Sequence, residues 1–169
     1  MDGQALDLPD ASFDAVFSFF GVFMFPDWRK GLAEMARVTR PGGFGVVAVW
    51  QDRGAGAFML LGQLIRKLFP ERQLAPMPEA MATLSEASGL VRELTKAGFG
   101  DAQIAEVTQD FELDMALLDD LDTLFGPSAD WTTLSDAEKT IVVAEIRQLA
   151  GHQPQLLIPS TALIAVARR

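Results

Sequence analysis

Phe13-Asp14-Ala15-Val16-Phe17-Ser18-Phe19-Phe20 and Phe44-Gly45-Val46-Val47-Ala48-Val49-Trp50 are two apolar runs separated by one amphipathic stretch. The first follows the turn-like Leu8-Pro9-Asp10-Ala11-Ser12, and its β-prone composition without polar alternation predicts a strand buried on both faces. After it, Pro26-Asp27 offers a break and a capping carboxylate. Trp28, Leu32, Met35 and Ala36 then recur at helical spacing on one face until Arg40, the residue before Pro41. Pro41-Gly42-Gly43 suits a tight turn into the second run, which predicts another central strand. Strand, helix and strand in this order make an α/β fold with a mostly parallel sheet carrying helices on both faces.

Working outward, residues 55–69 place Phe58, Leu61, Ile65, Leu68 and Phe69 on one helical stripe, and a Pro-rich connection runs from Pro70 to Pro78. Residues 51–82 therefore read as an inserted helix with a loop, a candidate lid. Thr83-Leu84-Ser85-Glu86 has the pattern of a capping box for a helix through Leu90 and Leu94 that stops at Gly98. A strand is expected within Ala102 to Phe111, and a helix around Met115 to Phe125 ending at Gly126-Pro127. Ser135-Asp136-Ala137-Glu138 is a second capping box, opening a helix to about Gly151, and Thr161 to Ala167 reads as a last strand. No repeat or low-complexity tract divides residues 1–169, so one domain is expected.

The 169 residues are 49% apolar and 22% charged, with 14 basic and 23 acidic side chains and a formal charge of −9. Eleven of the carboxylates lie between Asp101 and Glu138, where there is no Lys or Arg. The rest of the chain is near neutral, with only scattered basic pairs such as Arg29-Lys30 and Arg66-Lys67, so nucleic acid is not expected as a partner. Absence of cysteine excludes a thiol nucleophile, a zinc-thiolate site and a disulfide scaffold. Met1-Asp2-Gly3-Gln4 lacks the basic start of a signal peptide, and the apolar helical stretch Ala57 to Ile65 is too short to span a bilayer. A cytoplasmic protein is expected.

Four segments carry a resemblance to a known family. Asp2-Gly3-Gln4-Ala5-Leu6 with Pro9-Asp10-Ala11-Ser12-Phe13-Asp14-Ala15-Val16 is similar to the acidic loop and fourth strand of class I S-adenosylmethionine-dependent methyltransferases of the small-molecule, ubiquinone and menaquinone C-methyltransferase kind. Phe20-Gly21-Val22-Phe23-Met24-Phe25-Pro26-Asp27 resembles the segment after that strand on the substrate side. Glu34-Met35-Ala36-Arg37-Val38-Thr39-Arg40-Pro41-Gly42-Gly43 resembles the helix and turn before strand five, and the weaker Ala97-Gly98-Phe99 and Ala165-Val166-Ala167-Arg168 continue the likeness.

The resemblance implies a Rossmann-like class I methyltransferase fold, of which this chain holds the contiguous strands 4-5-7-6. It implies too that the strand, glycine-rich loop and helix that hold the methionine part of the cofactor, and the acid that grips the ribose, are not in this sequence. Met1 stands where the third strand would hand over to the acidic loop, which reads as an N-terminally truncated domain. The implied cofactor is S-adenosylmethionine and the implied reaction is methyl transfer to a small-molecule acceptor. An alternative is a non-catalytic half-domain that pairs with itself or a partner chain, with a homodimer through the edge strand 13–20.

By the same resemblance Asp2 accepts from the adenine amino group, the Gly3 N–H reaches a ring nitrogen, and Phe19 and Phe20 wall the cofactor at the carboxyl end of the strand. Phe23 and Met24 stand where many relatives carry polar residues, so here they shape an apolar substrate pocket and no residue is expected to act in acid-base catalysis. Phe58 on the inserted helix is a further pocket candidate. The acidic runs Asp110-Glu112-Asp114 and Asp119-Asp120-Asp122 lack the glycine and distal glutamate of a calcium loop, and no metal is expected. His152, the single histidine, lies in a turn-rich stretch and reads as solvated.

Overall fold

The computed structural model describes residues 1–51, 56–74 and 76–169. The chain divides into two compact units: Met1–Asp52 with Met77–Val107 and Thr161–Arg169, and Arg53–Pro76 with Thr108–Ser160. In the first, β1 (Phe13–Phe19), α1 (Trp28–Val38) and β2 (Thr39–Trp50) form the expected strand-helix-strand element. β1 and β2 pair in parallel, with Phe17 opposite Val46 and Phe19 opposite Ala48. The helix α1 starts where the Asp27 carboxylate accepts from the Lys30 N–H at 3.1 Å.

Helices α2 (Gly56–Leu68), α3 (Glu79–Leu84) and α4 (Ala87–Ala97) lead to β3 (Gly100–Asp114). The acidic stretch folds as a 3-10 turn at Met115–Asp119, α5 (Leu121–Phe125) and α6 (Ala129–Thr132), before α7 (Asp136–Ala150) and β4 (Gln155–Arg168). The four strands form one sheet in the order β1-β2-β4-β3. β4 runs antiparallel to β2, and the bond from Met115 N–H to Pro154 C=O joins the end of β3 to the start of β4, so that pair is antiparallel too. This is the order the 4-5-7-6 expectation requires.

The pairing register puts Val16, Val47, Val49, Leu163, Ala165 and Ala167 on one sheet face, and these join Leu32, Met35, Leu84, Leu90, Leu94 and Phe99 in the core of the first unit. Removing one of the buried leucines to Ala costs about 2–5 kcal/mol in cores of this kind. The second unit has its own core, in which Leu61, Leu64 and Ile65 of α2 meet Leu113, Phe125, Trp131, Val142 and Ile146.

Several elements depart from the sequence-based expectation. β1 is not buried on both faces, since Phe13, Phe17 and Phe19 are exposed, while its place at the edge of the sheet among the described residues is the one expected. α1 ends at Val38, not Arg40, where the Thr39 hydroxyl and N–H both turn back to Met35 C=O. The turn expected at Pro41-Gly42-Gly43 is present as a bulge inside β2, since Phe13 pairs with Thr39 and Ala15 with Phe44. Gly42 takes a positive φ of 81° there and bonds to Arg169 C=O. Thr83 and Glu86 do not form a capping box: Pro78 opens α3, which buries Ala80 and Leu84, and Glu86 precedes α4 without a side-chain cap. The single helix expected over Met115 to Phe125 is broken because Asp114 and Asp120 each cap a separate short turn. Both β3 and β4 are longer than expected, with residues 112–114 and 155–160 of the added length falling in the second unit. The Ser135–Glu138 capping box and the left-handed Gly98 stop agree with the reading.

Glu93 ties this first unit together electrostatically. Its side chain is 2% exposed and receives Lys96 at 2.8 Å, Arg29 at 3.0 Å and Arg92 at 3.3 Å. The Lys96 bond foremost, with Arg29 and Arg92, outweighs burial and lowers its pKa from 4.5 to about 2. A depressed carboxylate contributes stability that is present above its ordinary pKa and is lost as pH falls toward the folded value. Acid titration of unfolding free energy is therefore expected to show the native protein losing about 1–3 kcal/mol more than Glu93→Gln between pH 5 and pH 2. Parallel curves for the two would contradict this role.

Candidate functional site

At the carboxyl end of β1 the backbone turns sharply. Phe20 has a positive φ of 53°, unusual for a bulky residue, while its N–H continues the ladder to Ala48 C=O at 2.9 Å. Its ring stacks on Trp50, with centroids 4.1 Å apart and planes inclined by 20°. The Ser18 hydroxyl accepts from Val22 N–H at 3.0 Å, which fixes the following 3-10 turn Val22–Met24. Phe19, in the last sheet pair with Ala48, is 61% exposed, and Met24 is 71% exposed. Phe23 is half-buried against the core and closes a small recess with Val49, Trp50, Met81, Leu84 and Ser85.

The N-terminal residues form a turn docked on α1. Asp2 and Ala5 bridge, and the Asp2 Oδ1 accepts from Gln4 N–H at 2.9 Å and from Gln4 Nε2 at 3.1 Å. The Gln4 backbone bond foremost holds the Asp2 carboxyl below its ordinary pKa. Gln4 Oε1 in turn accepts from Asp27 N–H at 2.7 Å, linking the turn to the start of α1. Gly3 lies so close to the Phe25 ring that no side chain fits there without moving it.

Arg37 holds the segment that follows. Its guanidinium donates to Glu34 at 2.7 and 2.8 Å, to Leu6 C=O at 2.9 Å, to Leu8 C=O at 2.8 Å and to Asp10 at 2.5 Å. Glu34 also accepts from Leu6 N–H at 2.7 Å. The Arg37 contact foremost, then the Leu6 amide, lowers the Glu34 pKa to about 2, and the same contacts raise that of Arg37.

Asp2, Gly3, Phe19, Phe20, Phe23 and Met24 thus all belong to the first unit, on the Gln4–Asp27 turn and on the chain leaving β1. Phe58 does not join them. It belongs to the second unit, 51% exposed, with its ring edge-on to Phe125 at 6.1 Å. Three residues of the arrangement carried no role in the sequence reading: Gln4, Arg37 and Trp50. The Glu34–Arg37 spacing signals a helical ion pair, but its reach to Leu6, Leu8 and Asp10 has no local sequence pattern.

The residues that build this arrangement match the methyltransferase domain family, over residues 1–47. Over these residues the chain is similar to that family. It is 36% identical over 110 residues to the demethylmenaquinone methyltransferase of Corynebacterium efficiens, covering 59% of this chain and 48% of that one. To the demethylmenaquinone methyltransferase of Thermus thermophilus it is 37% identical over 122 residues, covering 61% and 56%. The chain spans about half the length of the curated relatives it matches. Among solved structures, a candidate methyltransferase of Bacillus halodurans superposes with a TM-score of 0.53 at 15% identity, covering 99% of this chain and 69% of that one. The YcgJ protein of Bacillus subtilis gives 0.54 at 17% identity, covering 99% and 68%. These two likenesses show that the chain has a Rossmann-like fold of the class I methyltransferase kind.

Arg37→Lys is expected to free the segment before β1, because a single ammonium cannot reach two carbonyls and two carboxylates at once. Hydrogen exchange read by mass spectrometry checks it: amides of residues 4–10 should exchange at least about tenfold faster, with the β2 amides unchanged. Unchanged protection of residues 4–10 would contradict the clamp.

Proposed function

We propose that this chain binds S-adenosylmethionine at the Asp2-Gly3 turn and the carboxyl end of β1, and takes part in methyl transfer to a small apolar aromatic acceptor. The observation that supports the reading is that the family match falls on residues 1–47, the same residues that build the turn, β1 and α1. The residues fit the adenine end of the cofactor. Both Gln4 bonds go to one oxygen of Asp2, which leaves the other free to accept from an exocyclic amine. The lowered pKa keeps that carboxylate charged at neutral pH. Among the described residues Gly3 N–H meets no acceptor and can donate to a ring nitrogen, and the exposed Phe19 ring offers an apolar wall.

S-adenosylmethionine, when bound, supplies an already activated methyl on a sulfonium. The chain's own residues then have to orient and to exclude water, and the side chains at 19, 20, 23 and 24 carry no titratable group with which to move a proton. Phe20 is pinned by Trp50, and Phe23 by the core. Met24 is left to present a flexible apolar surface to the acceptor. The relatives are named for demethylmenaquinone, and we carry that acceptor class, a quinone or quinol ring, to this chain. No helix among the described residues is long and apolar enough to cross a membrane, and we place the reaction in the cytoplasm, with no nucleic acid as substrate. A second copy of the chain along β1 is proposed as its partner.

Isothermal titration of the purified chain with S-adenosylmethionine is expected to show one site, weakened about tenfold by Asp2→Ala, a loss of about 1.4 kcal/mol. Affinity should stay flat from pH 8 down to pH 5.5, because the Asp2 carboxylate loses its charge only below its ordinary pKa of 3.8. Absence of binding heat, or equal affinity of Asp2→Ala, would overturn the reading.

A further inference from the structure

Among the described residues four polar side chains are buried: Thr39, Ser85, Glu93 and Ser160. Three of them are bonded. Thr39 donates to Met35 C=O at 2.7 Å, Ser160 accepts from Gly56 N–H at 3.0 Å, and Glu93 holds its three cations. Ser85 is the exception, 6% exposed, with a hydroxyl that meets no partner among the described residues. It follows α3 directly, and its backbone N–H closes that helix on Met81 C=O at 3.0 Å. A hydroxyl in such a place commonly turns back to the carbonyl four residues earlier, as those of Thr39, Thr95 and Thr140 do. That of Ser85 does not. A buried hydroxyl left unpaired costs stability, and native structures keep few of them. Every fully enclosed polar side-chain atom among the described residues has a partner, so the Ser85 hydroxyl is not enclosed and faces an opening.

That opening is the recess Ser85 shares with Phe23, Val49, Trp50, Met81 and Leu84, all residues of the first unit. Its free volume is about 10 Å³, room for one water-sized group. Apart from the indole nitrogen of Trp50 and the sulfur of Met81, the side chains around the hydroxyl are hydrocarbon. A lone water, which seeks two to four polar partners, is poorly served there. An oxygen carried on an apolar ring needs only the one bond, because apolar contact holds the ring. Two of the walls belong to the surface assigned above to the acceptor: Phe23 lies on the turn leaving β1, and Trp50 stacks on Phe20. We propose that the Ser85 hydroxyl holds one oxygen substituent of the methyl acceptor, a carbonyl or a hydroxyl on its ring, and so selects acceptors that carry oxygen there. This rests on the reading of the carboxyl end of β1 as the transfer site. Toward a carbonyl the Ser85 hydroxyl donates, and toward a ring hydroxyl it can donate or accept. A hydrocarbon of the same shape leaves it unpaired, and a site built to bond an oxygen rejects the analogue that lacks one.

The probes 1-naphthol and 1-methylnaphthalene are close in shape and differ in carrying oxygen or carbon at one ring position. Equilibrium dialysis of the full chain is expected to show 1-naphthol bound at least about tenfold tighter. In Ser85→Ala that preference is expected to fall below about twofold, through weaker binding of 1-naphthol alone. The same variant is expected to unfold at the native temperature or above it, since it removes an unpaired buried hydroxyl. A lower unfolding temperature shows that the hydroxyl is bonded within the chain and overturns the proposal. A preference absent from the native chain, a preference that survives Ser85→Ala, or failure to bind either probe overturns it as well. Calorimetry with S-adenosylmethionine separates this proposal from the reading on which it rests. Cofactor binding without the Ser85-dependent preference removes the role of Ser85 alone, and the preference without cofactor binding removes the cofactor reading alone.

Discussion

Parallel pairing of β1 with β2 across α1 is the constraint from which the site follows. The ladder runs to the Phe20–Ala48 bond and ends there, so Phe20 and the chain after it leave the sheet at a fixed height beside Trp50. The same pairing sets α1 on the core face, through Leu32, Met35 and Ala36. α1 then carries the N-terminal turn at its first residue, through Gln4 and Asp27, and the next segment further along, through Arg37. Asp2 is thus held relative to β1 by way of a helix that neither touches the proposed cofactor nor supplies a group to it. Loss of the helix face would remove the carboxylate from the site without altering a single residue in it.

Acidity in this chain serves structure before it serves any ligand. Of the carboxylates between Asp101 and Glu138, Asp114, Asp120 and Glu138 cap turns or helices, and Asp122 accepts from both Trp131 Nε1 and Lys139. Short helices that break every few residues need a cap at each start, and the second unit has such starts at Met115, Leu121 and Asp136. This accounts for a strongly negative stretch in a unit whose core is ordinary, and it leaves the residues of the proposed site outside the acidic region. Glu93, buried among three cations in the first unit, is the opposite use of a carboxylate: one negative group gathering α1 and α4.

What could be read from the residues follows the range of the interaction concerned. The order of strands was legible because β1, α1 and β2 are consecutive and strongly apolar, and the later strands were placed by resemblance. Local signals held where nothing competed, as at Ser135–Glu138 and Gly98. At Thr83–Glu86 the same pattern failed, since burial of Ala80 and Leu84 drew the helix start back to Pro78. Apolar composition alone could not distinguish a strand buried on both sides from an edge strand with three exposed phenylalanines, because the difference lies in which neighbours are present. Of the site, Asp2, Gly3, Phe19 and Phe20 were named by family likeness. The bonds that hold them, from Gln4 to Asp27 and from Arg37 to Leu6 and Leu8, cross more than twenty residues and leave no spacing to find.

The central claim is that the N-terminal turn and the end of β1 act as one adenine-binding surface. Amide chemical-shift mapping of the isotope-labelled chain on addition of S-adenosylhomocysteine tests it most directly. Saturable shifts at Gly3, Gln4 and Phe19 to Gly21, following a single binding curve, are the predicted result. Shifts confined to residues 108–160, or none at saturating ligand, would contradict it.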